Sequence, residues 1–181
     1  MLTTLKHCLW KNFAASIDML KNAIEMCPDE LWYNNKKFFY NAYHCAVFTD
    51  YYLTIPPVNF FPPPGYTLTE PDKIPADAVD DVVPNKLYSR AELIDYVQYA
   101  REKCRSVISN LTEEKLNESW IASTETTDLS LSGMDALKYS ILEILFYNLR
   151  HVQHHAAQLN FMLRQAINAA PDYVSQAEDD L

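Results

Sequence analysis

The stretch LKYSILEILFYNLRHVQHHAAQLNFMLRQ, from Leu137 to Gln165, decides the fold. It contains no proline and no glycine, and it is apolar at nearly every position up to Leu149. A helix that is apolar all round is buried in the core of a protein. The pattern therefore predicts a long central helix from near Ser132, where Asp135 would support the cap, to about Gln165.

Three more helices are predicted from apolar residues that recur at steps of three and four. The first spans about Thr4 to Met26, and the second, which is rich in aromatic residues, about Lys36 to Leu53. The third follows Ser89 and continues to about Asn110, with Ser89 and Glu92 at the spacing of a capping box.

The connection between the second and third helices, residues 55–88, holds eight of the ten prolines. Proline breaks helices, and connections of this length are typical of lids, binding loops or disordered segments. We expect Phe60, Phe61 and Tyr66 to pack back onto the body. The fold class is all-α: residues 1–181 form a single four-helix-bundle domain with a long Pro-rich crossover between helices 2 and 3.

The amino-acid composition argues against several classes of function. Gly65 and Gly133 are the only glycines, too few for a dinucleotide fingerprint and, at 68 positions apart, too widely separated for a P-loop. The net charge of −9 disfavours nucleic acid and anionic membranes as partners. The acidic residues of the 55–88 loop and of the tail, about 172–181, are expected to be solvated. With no signal peptide pattern and no span of about 20 apolar residues, we expect a cytoplasmic protein.

Histidine residues form the candidate metal site of this sequence. His151 and His155 are four residues apart, so on a helix they project from one face and can reach one metal ion. His154 could replace His155, but the core positions of the predicted helix favour His155. The third ligand would be His44, which lies inside the predicted second helix. Ordinary helix histidines that bind nothing are the alternative.

Several neighbours could complete a pocket around these histidines. Asn41 precedes His44 by three residues and Asn148 precedes His151 by three, so either amide could orient a ligand or a substrate, although ordinary helix polarity explains them as well. The remaining candidate pocket residues are Tyr40, Tyr51, Tyr147 and Gln158.

The sequence resembles the DinB-like, or YfiT-like, superfamily of four-helix proteins. The family's histidine in the second helix matches His44, and its His-x-x-x-His in the fourth helix, followed three residues later by Gln, matches His151, His155 and Gln158. The segments Pro28–Trp32 and Ala170–Val174 are also similar to the family's. Where many members carry Arg-Gly between the second histidine and the glutamine, this chain has Ala156 and Ala157, so an arginine that could contact an anionic substrate is missing.

The resemblance implies one divalent metal ion, such as zinc, nickel or iron, held by His44, His151 and His155. It also implies open coordination positions and, in some members, a low-molecular-weight thiol as co-substrate. The expected function is a metal-dependent thiol transferase or hydrolase acting on a small electrophilic molecule. Two other hypotheses stay open: the protein could be a non-catalytic metal-binding stress-response module or a helical interaction protein. The aromatic richness also allows a homodimer.

Overall fold

A computed structural model describes residues 1–58, 60–121 and 139–181. Its helices are α1 Leu2–Met26, α2 Asp29–Asn34, α3 Lys36–Leu53, α4 Arg90–Ser109, α5 Glu113–Asn117 and α6 Ile141–Ile167. Two short strands, β1 Tyr66–Leu68 and β2 Val82–Pro84, pair antiparallel. The fold is mostly helical, as predicted, with a small sheet that the sequence analysis did not anticipate. None of the described helices is long and apolar enough to cross a membrane.

The helix termini follow local capping chemistry. Helix α3 has the predicted bounds, and the side chain of Asn35 accepts a hydrogen bond from the backbone N–H of Phe38 at its start. Helix α4 begins with the predicted capping box, in which Ser89 and Glu92 each accept from the other's backbone N–H. These side chains satisfy amide donors that the first helical turn leaves unpaired.

Helix α6 begins later than predicted. Its N-cap is Ser140, which forms a capping box with Glu143. Before the helix, Ser140 pairs with Ser119 in an isolated antiparallel bridge, and Tyr139 accepts a hydrogen bond from the backbone of Trp120. These contacts hold residues 139 and 140 extended, so a continuous helix from near Ser132 is wrong. Ser132 and Asp135 lie outside the described residues.

The four long helices, α1, α3, α4 and α6, pack against one another in pairs. Helix α1 contacts α4 and α6, and α3 contacts the same two helices. Trp10, Trp32 and Trp120 are fully buried in the core, as expected for large aromatic side chains. Cys45 and Cys104 are also buried, and burial raises the pKa of both thiols. This packing brings the middle of α3 against the middle of α6, where the predicted ligands lie.

The 55–88 segment folds back onto the helices. Phe60 and Tyr66 pack against the core as predicted, but Phe61 is 87% exposed, so its predicted packing is wrong. The hydroxyl of Tyr43 on α3 lies within hydrogen-bond distance of two carbonyl oxygens, 2.7 Å from that of Pro64 and 2.9 Å from that of Gly65. The segment is therefore tied to the helix that carries His44.

The acidic C-terminal tail is held against α1 and α4. Trp10 donates its indole N–H to the carbonyl oxygen of Asp179, and Lys11 accepts a backbone hydrogen bond from Ala177. The Asp179 carboxylate pairs with Arg101 and Arg105. The expectation that the whole tail is solvated is therefore wrong at Asp179, because two arginines supply its counter-charge.

Candidate metal centre

Three histidines meet between α3 and α6. His44 comes from α3, and His151 and His155 come from successive turns of α6. One ring nitrogen from each lies within 4.8 Å of the other two. The Nε2 atoms of His44 and His151 are 3.1 Å apart. The structure thus brings together the three residues that the sequence singled out as ligands.

The spacing of the nitrogens suits one small cation. Two nitrogens bound to one ion at about 2.1 Å lie roughly 3.0–4.2 Å apart, depending on the angle between the bonds. The distance between the Nε2 atoms of His44 and His151 falls inside this range. Since no two of the three nitrogens are more than 4.8 Å apart, a small inward movement of one ring would bring all three within bonding distance of one ion. The group could therefore hold a metal ion.

His155 is oriented by an amide. Its Nδ1 is 3.1 Å from the Oδ1 of Asn41, and the Nδ2 of Asn41 donates to the Oε1 of Gln158 at 2.8 Å. Because the Asn41 oxygen can only accept, the proton of His155 resides on Nδ1. The lone pair is then on Nε2, the nitrogen available to a cation.

His44 lies beside a carboxylate from the 55–88 segment. The Oδ2 of Asp80 is 2.9 Å from the Nδ1 of His44. That oxygen lies off the direction of a ring N–H bond, and neither Nδ1 of His44 nor Nδ1 of His151 has a hydrogen-bond partner among the described residues. The contact with Asp80 is therefore electrostatic, and it places a negative charge beside His44. Asp80 is one of the loop acids predicted to be solvated, and at this residue that prediction is wrong.

Burial keeps two of the imidazoles neutral. Desolvation, followed by the neighbouring histidines, lowers the pKa of His151 to about 2. The same order of causes lowers the pKa of His155 to about 3. Both rings are therefore unprotonated at neutral pH, which is the form that binds metal ions.

The structure distinguishes His154 from His155, as the helix pattern predicted. His154 is exposed and outside the triad, and its Nε2 is 3.0 Å from the Nε2 of Gln158. Asn148 is fully buried and donates to the carbonyl oxygen of Thr49. Asn148 therefore joins α6 to α3, whereas Asn41 contacts the triad directly.

The predicted tyrosines lie at different depths. Tyr147 packs edge-on against Tyr52, and Tyr40 lies against Phe39. Tyr51 is 1% exposed, with its ring against Phe60 and Trp120. Tyr51 and Tyr147 thus pack on either side of Tyr52, whereas Tyr40 packs near the start of α3.

Two aromatic residues that the sequence analysis did not select touch the triad. The Phe48 ring is 4.5 Å from that of His44, centroid to centroid, and the Tyr52 ring meets that of His151 edge-on at 5.8 Å. Phe48 and Tyr52 lie one and two helical turns after His44 on the same face of α3, a spacing that could have identified them. They form an apolar wall that limits access of water to the imidazoles.

Comparisons of the chain with known protein families, with curated proteins and with solved structures gave no match.

Proposed function

We propose that the protein holds one divalent metal ion with His44, His151 and His155. The observation that carries this proposal is the convergence of three imidazole nitrogens within 4.8 Å of one another. Three neutral protein ligands that leave coordination positions free are the arrangement of catalytic rather than structural zinc sites. Zinc, nickel and iron all accept imidazole ligands, so the donor set suits each of them.

Neighbouring residues orient one of the three histidines, place a charge beside another and limit the contact of the rings with water. Asn41 holds His155 with its Nε2 lone pair free, and Asp80 places a carboxylate beside His44. Phe48 and Tyr52 shield the rings from water. When bound, a divalent ion supplies Lewis acidity, which lowers the pKa of a bound water or thiol and polarises a carbonyl group.

We further propose a DinB-like four-helix bundle with a Pro-rich crossover, acting as a thiol transferase or hydrolase on a small electrophile. The histidine spacing and the mutual packing of α1, α3, α4 and α6 support this assignment. A low-molecular-weight thiol would be the co-substrate of the transferase. The Asp80 carboxylate beside His44 favours a neutral or cationic electrophile over an anionic one, because like charges repel.

A non-catalytic metal-binding module is the second candidate. It is favoured by the burial of the ligands, since His155 is 6% exposed and His44 is 9% exposed. In that case the ion would mainly join α3 to α6. Such a protein would lose much of its thermal stability on chelation and would turn over no thiol or ester substrate.

Metal content tests the centre. Untagged wild-type protein, His44→Ala, His155→Ala and the matched control His154→Ala would be compared by mass spectrometry after reconstitution with each candidate metal. We expect about one ion per chain in the wild type and in His154→Ala, and none in the other two. A wild type that holds no stoichiometric metal, or a His44→Ala variant that retains it, would refute the centre.

Activity separates the two candidates. The metal-loaded protein would be assayed with a panel of small thiols and electrophiles and with ester and amide substrates, beside His44→Ala. Turnover that disappears in His44→Ala would support the enzyme. Stoichiometric metal without turnover, together with a large fall in Tm on chelation, would support the module instead.

A further inference from the structure

A cavity of about 370 Å³ lies apart from the histidine triad, between helix α4 and the proline-rich segment. Pro63 and Pro64 form one wall, and Tyr88 and one face of α4 form the other. None of the three triad histidines lines it. Its chemistry is therefore considered separately from the metal centre.

Three aromatic rings, those of Tyr88, Tyr96 and Tyr99, line this cavity. Tyr88 is stacked on Tyr43, with the ring centroids 5.8 Å apart and the planes at 10°. Tyr96 and Tyr99, one turn apart on α4, have nearly parallel rings at 11°. The Tyr96 hydroxyl donates to the buried carboxylate of Asp50 at 2.7 Å, which fixes its ring. Tyr88 and Tyr96 are thus held in place, and the cavity presents π systems to any occupant.

The charge in the cavity is negative. Glu92 and Asp95 line it from α4, and no lysine or arginine is among the described residues that do so. Asp95 is exposed, and its carboxylate forms no ion pair with another described residue. Carboxylates beside aromatic faces are the combination that attracts organic cations, through charge and through the ring quadrupole.

One cation of the chain itself already contacts two of the residues that line this cavity. The Nζ of Lys86 is 4.8 Å from the centroid of the Tyr88 ring and 2.8 Å from Oε1 of Glu92. The Lys86 side chain is 58% exposed, so it can move aside at little cost. An ammonium group thus makes both kinds of contact here, one with a ring and one with a carboxylate.

We propose that this cavity binds a small organic ammonium ion. The cation lies against the rings of Tyr88 and Tyr99, and Asp95 supplies the counter-charge that no other described residue neutralises. The alkyl part of the ligand contacts Pro63 and Pro64. The proposal rests on this cavity alone and does not depend on whether the triad holds a metal.

Choline and its uncharged isostere 3,3-dimethylbutan-1-ol provide the first test. Each would be titrated into the full chain, and amide chemical shifts would be followed by NMR. We expect saturable shifts with choline in α4 near Asp95 and Tyr99, and affinity for the alcohol at least about five-fold weaker. Choline binding should survive in His44→Ala, which distinguishes this site from the metal centre. Equal affinity for the two compounds, or shifts confined to the triad, would overturn the proposal.

Variants of exposed lining residues provide the second test. Tyr99→Leu keeps the apolar bulk but removes the π face, and Tyr99→Phe keeps the ring. We expect choline affinity to fall about two- to five-fold in Tyr99→Leu and to be unchanged in Tyr99→Phe. Asp95→Asn should weaken binding by a similar factor, and more at low salt.

The matched control is Tyr33→Leu, because Tyr33 is 50% exposed and lies on α2, outside this cavity. Choline affinity should be unchanged in this control. Wild-type affinity in both Tyr99→Leu and Asp95→Asn would overturn the proposal.

Discussion

At the scale of single residues, the polar side chains next to the histidines determine how well the rings are placed for a cation. Asn41 and Asp80 each lie within about 3 Å of a ring nitrogen that faces away from the triad centre. Asn41 orients a ring through a hydrogen bond, whereas Asp80 contributes charge. Both effects reach a bound cation through the imidazoles.

Asn41→Ala should weaken metal binding by about 10- to 100-fold, because His155 loses the acceptor that fixes its proton and its orientation. Competition against a chromophoric chelator would measure the affinity. Asn41→Asp, which keeps the acceptor oxygen, should recover most of it. The control is Asn12→Ala, since the exposed Asn12 amide donates to the carbonyl oxygen of Cys8 in its own helix. If Asn41→Ala bound the metal as tightly as the wild type, Asn41 would not be the residue that orients His155.

A second prediction concerns Asp50, a carboxylate that is 3% exposed and is paired with Lys103. Lys103→Met should lower the free energy of unfolding by about 3 kcal/mol, because it leaves a buried charge without its partner. Urea denaturation would measure this change. The comparison is Lys73→Met, which breaks the exposed pair with Glu70 and should change stability by less than about 1 kcal/mol. If the two substitutions lowered the free energy of unfolding equally, burial of the ion pair would not be the reason for the effect of Lys103→Met.

At the scale of the helices, local signals and long-range contacts decide different boundaries. Helix α4 begins where a serine and a glutamate three residues later form a capping box. Helix α6 has the same device at Ser140 and Glu143, but there an extended bridge to Ser119 also precedes the cap. The start of α6 therefore depends on a residue far away in the sequence.

Ser140→Ala should destabilise the protein by about 1 kcal/mol, because the amide of Glu143 loses its acceptor at the start of α6. Thermal unfolding followed by circular dichroism would report it. Ser140→Asp keeps an accepting oxygen and a negative charge at the helix N-terminus, so it should retain most of the stability. A Ser140→Asp variant as unstable as Ser140→Ala would show that the cap is not the cause.

The helices and the triad could be predicted from sequence because periodicity and i,i+4 spacing are local properties. The bounds of α3 and the preference for His155 over His154 follow directly from such patterns. Asp80 could not be predicted, since its proximity to His44 depends on how the 55–88 segment folds back. The start of α6 and the pairing of β1 with β2 depend in the same way on contacts between distant residues.

At the scale of the whole molecule, the C-terminal tail ties the first long helix to the third. Asp179 lies between Trp10 on α1 and Arg101 and Arg105 on α4, and both guanidinium groups also lie over the Trp10 ring. The Arg101 guanidinium holds the pKa of the Asp179 carboxyl well below its usual range. The ion pair therefore links two helices to the end of the chain.

Asp179→Asn should reduce stability at neutral pH, and the difference from wild type should depend on pH. Because the pKa of Asp179 is lower in the folded state, its contribution is complete above the ordinary value of about 3.8 and is lost as pH falls below it. Tm values of both proteins between pH 7 and pH 2 would show a difference that holds down to about pH 4 and narrows below it. A constant difference would assign the effect to something other than charge.

The bridge between Ser119 and Ser140 has a consequence for hydrogen exchange in this protein. It joins the start of α6 to the backbone beside Trp120, whose side chain is fully buried in the core. The backbone N–H groups of Trp120 and Ile141 donate across this bridge. Their protons should therefore exchange with solvent only when the core itself opens, and not by fraying of the first turn of α6.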